Sequence, residues 1–489
     1  MAESAEFRFE ESFASDHEVD IIANTDMTGI VWFRRDLRLK ANPAWAEATR
    51  THKEIVGLFV IDPRVMSVAG PLRQAVLVHH LHSLDAAMRE YGGRLTIVTA
   101  DAKGGPEAVA TVVREVVADT EAVAVYANRD AAPYASRRDD FVRRTLPVPL
   151  VVHEGNTVHP PGQILTRKGT LSRVFSPYYN AWAKAPLLPV GAAGNGRVVT
   201  SGLTEGLPTR NAEHAPDWLT DVGPDAASRR LTSWLERVDD YPTTRDLPAV
   251  AGTSRLSIDL KFGSLSPQTV VEVVNGSGSS IARQSFVRQL AWRDWWFHLL
   301  LDQPSLPSRA IRPAYDRVQW RNDPREFDAW RDGRTGFPIV DAGMRQLAET
   351  GLMHNRVRMI TGSFLVKDLL IDWRWGERHF RRLLLDADLA QNVGNWQWVA
   401  GTGPDAAPYF RIFNPLVQAI TFDPEGDYVR RWVPELAGIP ARAIHQPMSL
   451  GPPELASFGV VIGENYPAPI VDHAEARQHT LVAYRRALD

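Results

Sequence analysis

The chain of 489 residues contains no cysteine. That excludes disulfides, thiolate nucleophiles and Cys-ligated metals, and it gives no sign of an oxidising compartment. No apolar run is long enough to span a membrane. The opening residues lack the basic start and apolar stretch of a signal peptide, and they are too acidic for a transit peptide. With no such address, the expected location is cytoplasmic. No His or Cys lies between Asp386 and Phe413, so the acid pair there is a poor transition-metal site. A hydrophobic content of 44% and a charged content of 23% are ordinary for a soluble protein, and the length predicts two or more domains.

Charge is unevenly placed. Residues 1–26 hold eight acids and one base, a charge of −7 against −3 for the whole chain, so the remainder carries +4. A mildly basic body permits a polyanionic partner without demanding one. Residues 1–26 read as a disordered acidic extension, with Met27 an alternative start. Strands are predicted at Gly29–Phe33, Ile55–Val60, Arg94–Val98, Ala122–Tyr126 and Pro149–Val152. Helical patterns lie between them, clearest at Arg73–Tyr91, so residues 27–155 read as a Rossmann-like α/β domain with a parallel sheet. The first strand is followed by WFRRDLR rather than G-x-G-x-x-G, which argues against ordinary dinucleotide binding there. Residues 156–225 read as a linker, Pro- and Gly-rich and without periodicity from 185 onward. From 226 to 489 the pattern is helical, with Phe286–Leu301, Met344–Glu349 and Asn355–Leu370 as the longest pieces.

The densest stretch is Trp373–Phe413. It packs four Trp, the pair Asp386 and Asp388, Asn392 and Asn395 into one run, then an aromatic-basic segment, Tyr409, Phe410 and Arg411. Amides and indoles around an acidic pair suit a large planar ligand: amides for its polar edges, rings for its faces. The same run also reads as a Trp-rich core with satisfied polar groups. GTSRLS at Gly252–Ser257 reads as a helix N-cap, and its hydroxyls and Arg255 would also serve a phosphate. Asn355 and Met359, four apart, share a helix face; Arg358 can pair with an acid such as Asp386.

These residues match a pattern. WFRRDLRL, TSRLS, LAWRDWW, TGFPIVDAGMRQL, MHNRVRM, FLVKDLLIDWRWGE and DADLAQNVGNWQW through APYFRIFNP stand in the order found in the photolyase/cryptochrome family. The chain resembles the microbial class I cyclobutane pyrimidine dimer photolyases from about Gly29 to its end. The resemblance implies an α/β antenna domain followed by an all-α FAD-binding domain. It implies that Tyr241, Thr253, Ser254, Arg255, Leu256, Ser257 and Arg293 hold FAD, with Asn355, Arg358, Asp386, Ala387, Asp388 and Asn392 around the flavin. Arg245, Gln289, Trp292, Asn355, Met359 and Arg411 are the implied contacts to UV-damaged DNA. Trp396, Trp373 and Trp320 are the implied electron relay. Reduced FAD, excited by light, gives an electron to a flipped-out dimer, the cyclobutane ring splits, and the electron returns; the cofactor carries the hard step. A monomer with no metal is expected.

Two positions depart from the pattern. Gln289 stands where dimer photolyases usually have Glu, and Leu352 replaces the Trp usual before MHN. Gln at this position also resembles the (6-4) photolyases, but those carry a His pair on the positions that are Asn355 and Met359 here. Tyr126–Tyr134 (YANRDAAPY) lacks the Asn-Glu pair of folate binders, so a deazaflavin antenna (8-HDF) is favoured over folate. A cryptochrome-like photoreceptor without repair activity is the alternative.

Overall fold

Val- and Ile-rich runs that are apolar on both faces build one parallel sheet, because only a strand covered on both sides can bury them. The computed structural model describes residues 25–209, 219–404 and 408–489. The first half contains β1 (Thr25–Phe33), α1 (Pro43–Thr51), β2 (His52–Ile61), α2 (Pro71–Arg89), β3 (Thr96–Thr99), α3 (Pro106–Thr120), β4 (Ala124–Asn128), α4 (Pro133–Thr145), β5 (Leu150–His153), α5 (Phe175–Trp182) and β6 (Arg197–Val199). The second half is helical, with no strand among its described residues. Its elements that bear on the site are α6 (Ser257–Phe262), α7 (Ile281–Asp302), α8 (Asn355–Ser363), α9 (Trp373–Leu383), α10 (Leu389–Ala400) and α11 (His473–Leu488).

All strand pairs are parallel, in the order β3-β2-β1-β4-β5, with β6 also on β2. Along β1 the side chains alternate. Ile30 and Trp32 enter an apolar cluster with α3 and α4; Val31 and Phe33 enter another with α1 and α2. The five predicted strands form with ends shifted by a few residues. Three-residue β6 is an addition, too short to show periodicity. Most of the acidic stretch 1–26 lies outside the described residues, but Thr25 and Asp26 belong to β1.

Strand order reverses between β1 and β4, the place where such sheets usually take a ligand. Here polar side chains bond to one another. Asn128 Nδ2 donates to Asp36 Oδ2 (2.6 Å) and Asn42 Oδ1 (2.7 Å), and Arg34 reaches Asp139 (3.1 Å).

The stretch 156–225 is more than a linker. Asp294 Oδ2 on α7 accepts from Val158 N (3.0 Å), His159 N (3.0 Å) and Trp182 Nε1 (2.9 Å). Trp295 Nε1 donates to the Ser172 carbonyl (2.9 Å), and Phe175 stacks on Trp292. Residues 158–182 therefore belong to the helical half. A single buried carboxylate 112 residues from Trp182 organises them, a separation that local periodicity does not report.

The helix predicted over Asn355–Leu370 is also corrected. The α-helix stops at Ser363 and a π-turn covers Phe364–Asp368. The wider turn carries Lys367 inward, where Nζ donates to the Ala400 carbonyl (2.8 Å) and lies 3.7 Å from the Tyr484 ring centroid. Across the domain boundary, Leu37 N donates to the Phe262 carbonyl (3.0 Å) and Arg38 to the Gly263 carbonyl (2.9 Å). A Cβ at Gly263, where φ is +70°, would lie 2.1 Å from the Arg35 carbonyl oxygen, so only glycine permits this docking.

Candidate functional site

The turn between α9 and α10 carries both carboxylates. Asp388 is the N-cap of α10, accepting from Ala390 N (3.0 Å), which points its second oxygen away from the helix. That oxygen pairs with Arg35 from the turn after β1. Arg35 also faces Asp130 (3.5 Å). Burial alone would raise the Asp388 carboxyl, but Arg35, Lys261 and Arg293 together outweigh it and hold the group below the usual carboxylate range. Burial, with Arg35 and Arg73 nearby, pushes the Lys261 amine down to about 8. Among the described residues no carboxylate lies within ion-pair distance of Lys261, so buried positive charge exceeds the carboxylates that meet it directly. Arg35, Lys261 and Arg293 are thus candidates to meet an anionic group.

Asp386 takes both oxygens to Arg358 (2.9 and 3.1 Å), whose Nε donates to the Met353 carbonyl (2.8 Å). The turn itself is clamped from the α/β half: Arg73 on α2 donates to the Leu384 carbonyl (2.8 Å), and Gly70 N to the Arg382 carbonyl (2.8 Å). Asn392, one turn into α10, donates Nδ2 to the carbonyl (3.0 Å) and carboxylate (2.9 Å) of Glu377 on α9. Two acceptors on one side fix the amide, and its oxygen points the other way. Burial raises the Glu377 carboxyl, partly opposed by Arg381 and by the bond from Asn392.

On α8, Asn355 is exposed and its Nδ2 lies 3.8 Å from Met359 Sδ. His354 caps this helix through Arg356 N (3.2 Å), and Arg356 reaches Asp246 (3.0 Å). The segment with Tyr241 and Arg245 is thereby tied to Asn355. Tyr241 is buried edge-on against Trp234 and Phe286, with Arg245 over its ring. On α7, Gln289 Nε2 donates to the Ser285 carbonyl (3.2 Å). A carbonyl can only accept, so the Gln289 oxygen is the end left to face a ligand. Trp292 lies with one face on Phe175, centroids 3.6 Å apart and planes 12° apart.

The expected N-cap at Thr253–Ser257 is not one. The helix begins at Ser257 with Leu256 at the cap position and no side-chain cap bond. Arg255 takes a left-handed conformation (φ +55°), which turns the chain before a cap can form and leaves the Thr253 hydroxyl uncommitted to the helix. Arg411 is exposed, and no ion pair joins it to the other site residues among those described.

The three tryptophans lie on adjoining segments. Trp396 sits where a side chain at Gly376 would be: a Cβ there would come within 2.2 Å of its ring. Gly376 is one turn from Trp373 on α9. The Trp320 segment pairs with the start of that helix, Arg321 N donating to the Leu370 carbonyl (2.8 Å) and Asp372 N to Asn322 Oδ1 (2.8 Å). Trp396 and Trp373 are buried, while Trp320 is half-buried and edge-on to Tyr484 (5.9 Å).

Five contributors escape a reading of the sequence: Arg35, Arg73, Lys261, Phe175 and Glu377. Arg35 stands inside the quoted WFRRDLR, yet nothing local indicates a partner 353 residues away.

The fold is bilobed, an α/β lobe clamped onto a helical lobe. Residues 29–193 match the DNA photolyase model, and residues 286–486 match the FAD binding domain of DNA photolyase. The chain is 41% identical to the deoxyribodipyrimidine photo-lyase of Streptomyces griseus over 92% of this chain and 97% of that protein. Among solved structures it is similar to a bacterial class III photolyase from Agrobacterium tumefaciens, with a TM-score of 0.84, 36% identity and coverage of 95% of this chain and 98% of that one. A cryptochrome from Synechocystis gives a TM-score of 0.84 at 28% identity, covering 93% and 99%. The chain belongs to the photolyase/cryptochrome family.

Proposed function

We propose that this protein repairs UV-damaged DNA in light, splitting cyclobutane pyrimidine dimers with FAD as its cofactor. FAD in its reduced, photoexcited form supplies a one-electron donor. The residues around it bind and orient. The cation cluster at Asp388 meets the diphosphate, Arg358 and Asp386 form a fixed ion pair at the flavin, and the clamped Asn392 presents a neutral amide oxygen. The observation that carries the reading is the face shared by Asn355 and Met359 beside the Arg358–Asp386 pair. It offers an amide and a thioether, which hydrogen-bond and pack but do not donate a proton as a His pair would, so a dimer suits it better than a (6-4) lesion.

Gln289 keeps the acceptor that a glutamate would give and removes the charge. Trp292, backed by Phe175, is a rigid wall for a flipped-out dimer, and flipping damaged bases costs less than flipping sound ones, by up to a few kcal/mol. Trp396, Trp373 and Trp320 form the route by which resting FAD is reduced. Arg245 and Arg411 meet backbone phosphates. We take the antenna chromophore to be a deazaflavin, which extraction of the pigment from purified protein would test, and the protein to act as a cytoplasmic monomer.

The test is repair under blue light of a single-stranded oligonucleotide carrying one thymine dimer, comparing wild type with Gln289→Glu. Repair by wild type is expected, with a faster variant if charge at this position helps. Failure of the reduced, FAD-loaded wild type would refute the reading. Repair by the variant alone would make the native chain a photoreceptor of the cryptochrome kind, the reading that Gln289 itself favours.

A further inference from the structure

Arg288 has no assigned role, and its setting is unusual. It lies on α7 four residues before Trp292, so the two share a helix face. Its guanidinium carbon is 4.8 Å from the Tyr179 ring centroid and 5.3 Å from that of Phe175. Phe175 is the ring stacked on Trp292, and Tyr179 stacks on Phe175 at 5.9 Å. Arg288 is half-buried on this shelf. Among the described residues no carboxylate lies within ion-pair distance of it, and no protein oxygen accepts its hydrogen bonds. The chain beneath is also free of acids: no Asp or Glu occurs from residue 155 to 204, which includes all of α5. Arg167, Lys168 and Lys184 in that stretch are exposed.

A guanidinium set against two rings has already lost much of its rotamer freedom, and its fork of donors matches a phosphate in two-point geometry. With Trp292 and Gln289 beside it, that phosphate belongs to a nucleic-acid strand. We propose that Arg288, braced by Phe175 and Tyr179, grips a DNA backbone phosphate flanking the pocket bounded by Gln289 and Trp292. The proposal rests on the DNA-repair reading above and adds a contact made by a residue that the motif match does not supply. Since α5 provides the brace, a stretch that reads as linker in the sequence becomes part of the DNA surface.

The test uses the full-length, FAD-loaded protein and two fluorescent duplexes of one sequence, one with a single thymine dimer and one undamaged. Anisotropy titrations across a salt series give the dissociation constants and their log–log slopes. Arg288→Gln is expected to weaken binding about 3- to 10-fold on both duplexes and to reduce the slope by about one, the signature of one lost phosphate contact. Arg288→Lys keeps the charge and is expected to retain the slope. Unchanged slope and affinity in Arg288→Gln, with wild-type preference for the damaged duplex intact, would overturn this inference alone. A loss confined to the damaged duplex without a slope change would also overturn it, by placing Arg288 on the lesion rather than the backbone. A wild type that binds neither duplex would overturn the repair reading and this inference with it.

Discussion

Glu377 gives a sharp test of how the Asn392 amide is held. Glu377→Ala removes the carboxylate that accepts from Asn392 Nδ2 at 2.9 Å and leaves the Glu377 carbonyl at 3.0 Å as the remaining acceptor. Glu377 is 3% exposed, so the truncation also opens a cavity. A hydrogen bond to a charged group contributes about 1.5 to 3 kcal/mol. The contact with Arg381 at 3.4 Å contributes under about 1 kcal/mol, since that side chain is 34% exposed. Burial of the charge, seen in the raised Glu377 carboxyl, offsets part of this. The net loss is about 2 kcal/mol, equivalent to a fall in Tm of roughly 4–8 °C for a lobe of about 250 residues. Glu377→Gln keeps an oxygen for Asn392 and relieves the desolvation, so it should cost under about 1 kcal/mol. Thermal unfolding measures stability, and retained flavin after gel filtration measures the site. The alanine variant should lose flavin more readily than the glutamine variant. Equal melting of wild type and Glu377→Ala, or a glutamine variant as damaged as the alanine one, would refute the reasoning.

Two further outcomes follow from the packing and the buried charges. Gly376→Ala places a Cβ 2.2 Å from the Trp396 ring and 2.6 Å from Leu365, so it should destabilise by about 1–3 kcal/mol and shift the Trp396 environment, read by melting and near-UV circular dichroism. Asp294, pushed up to about 6 by burial despite bonds from Trp182, His159 and Val158, binds its proton more tightly folded than unfolded. Its contribution is therefore complete below about pH 4 and is lost as the pH rises through about 6, an order-of-magnitude effect of about 2–3 kcal/mol. Asp294→Asn should flatten that part of the pH–stability profile in urea titrations; an unchanged slope between about pH 4 and 6 would contradict the assignment.

Local chemistry made a large part of this protein legible from its residues. Continuous apolar runs such as Ile30–Phe33 declare a strand buried on both faces, and helical spacing over Arg73–Tyr91 declares the layer that covers it. The Asp386/Asp388 pair, Asn392 and the Trp-rich run are informative together because they sit within one stretch of chain. Where spacing failed, a competing local force had acted: the left-handed Arg255 undid the expected cap, and the π-turn that buries Lys367 shortened the helix after Asn355.

The sequence by itself determined the parallel α/β lobe, the helical lobe, the family and the stretch of chain that carries the candidate flavin residues, because each depends on periodicity or on a contiguous motif. Tertiary structure alone decided what surrounds those residues. Arg35 reaches Asp388 across 353 positions, Glu377 fixes Asn392 from the neighbouring helix, and Phe175 backs Trp292 from a stretch that reads as linker. Such pairs are set by how two lobes and several helices pack, and packing brings together side chains whose separation along the chain carries no local signal.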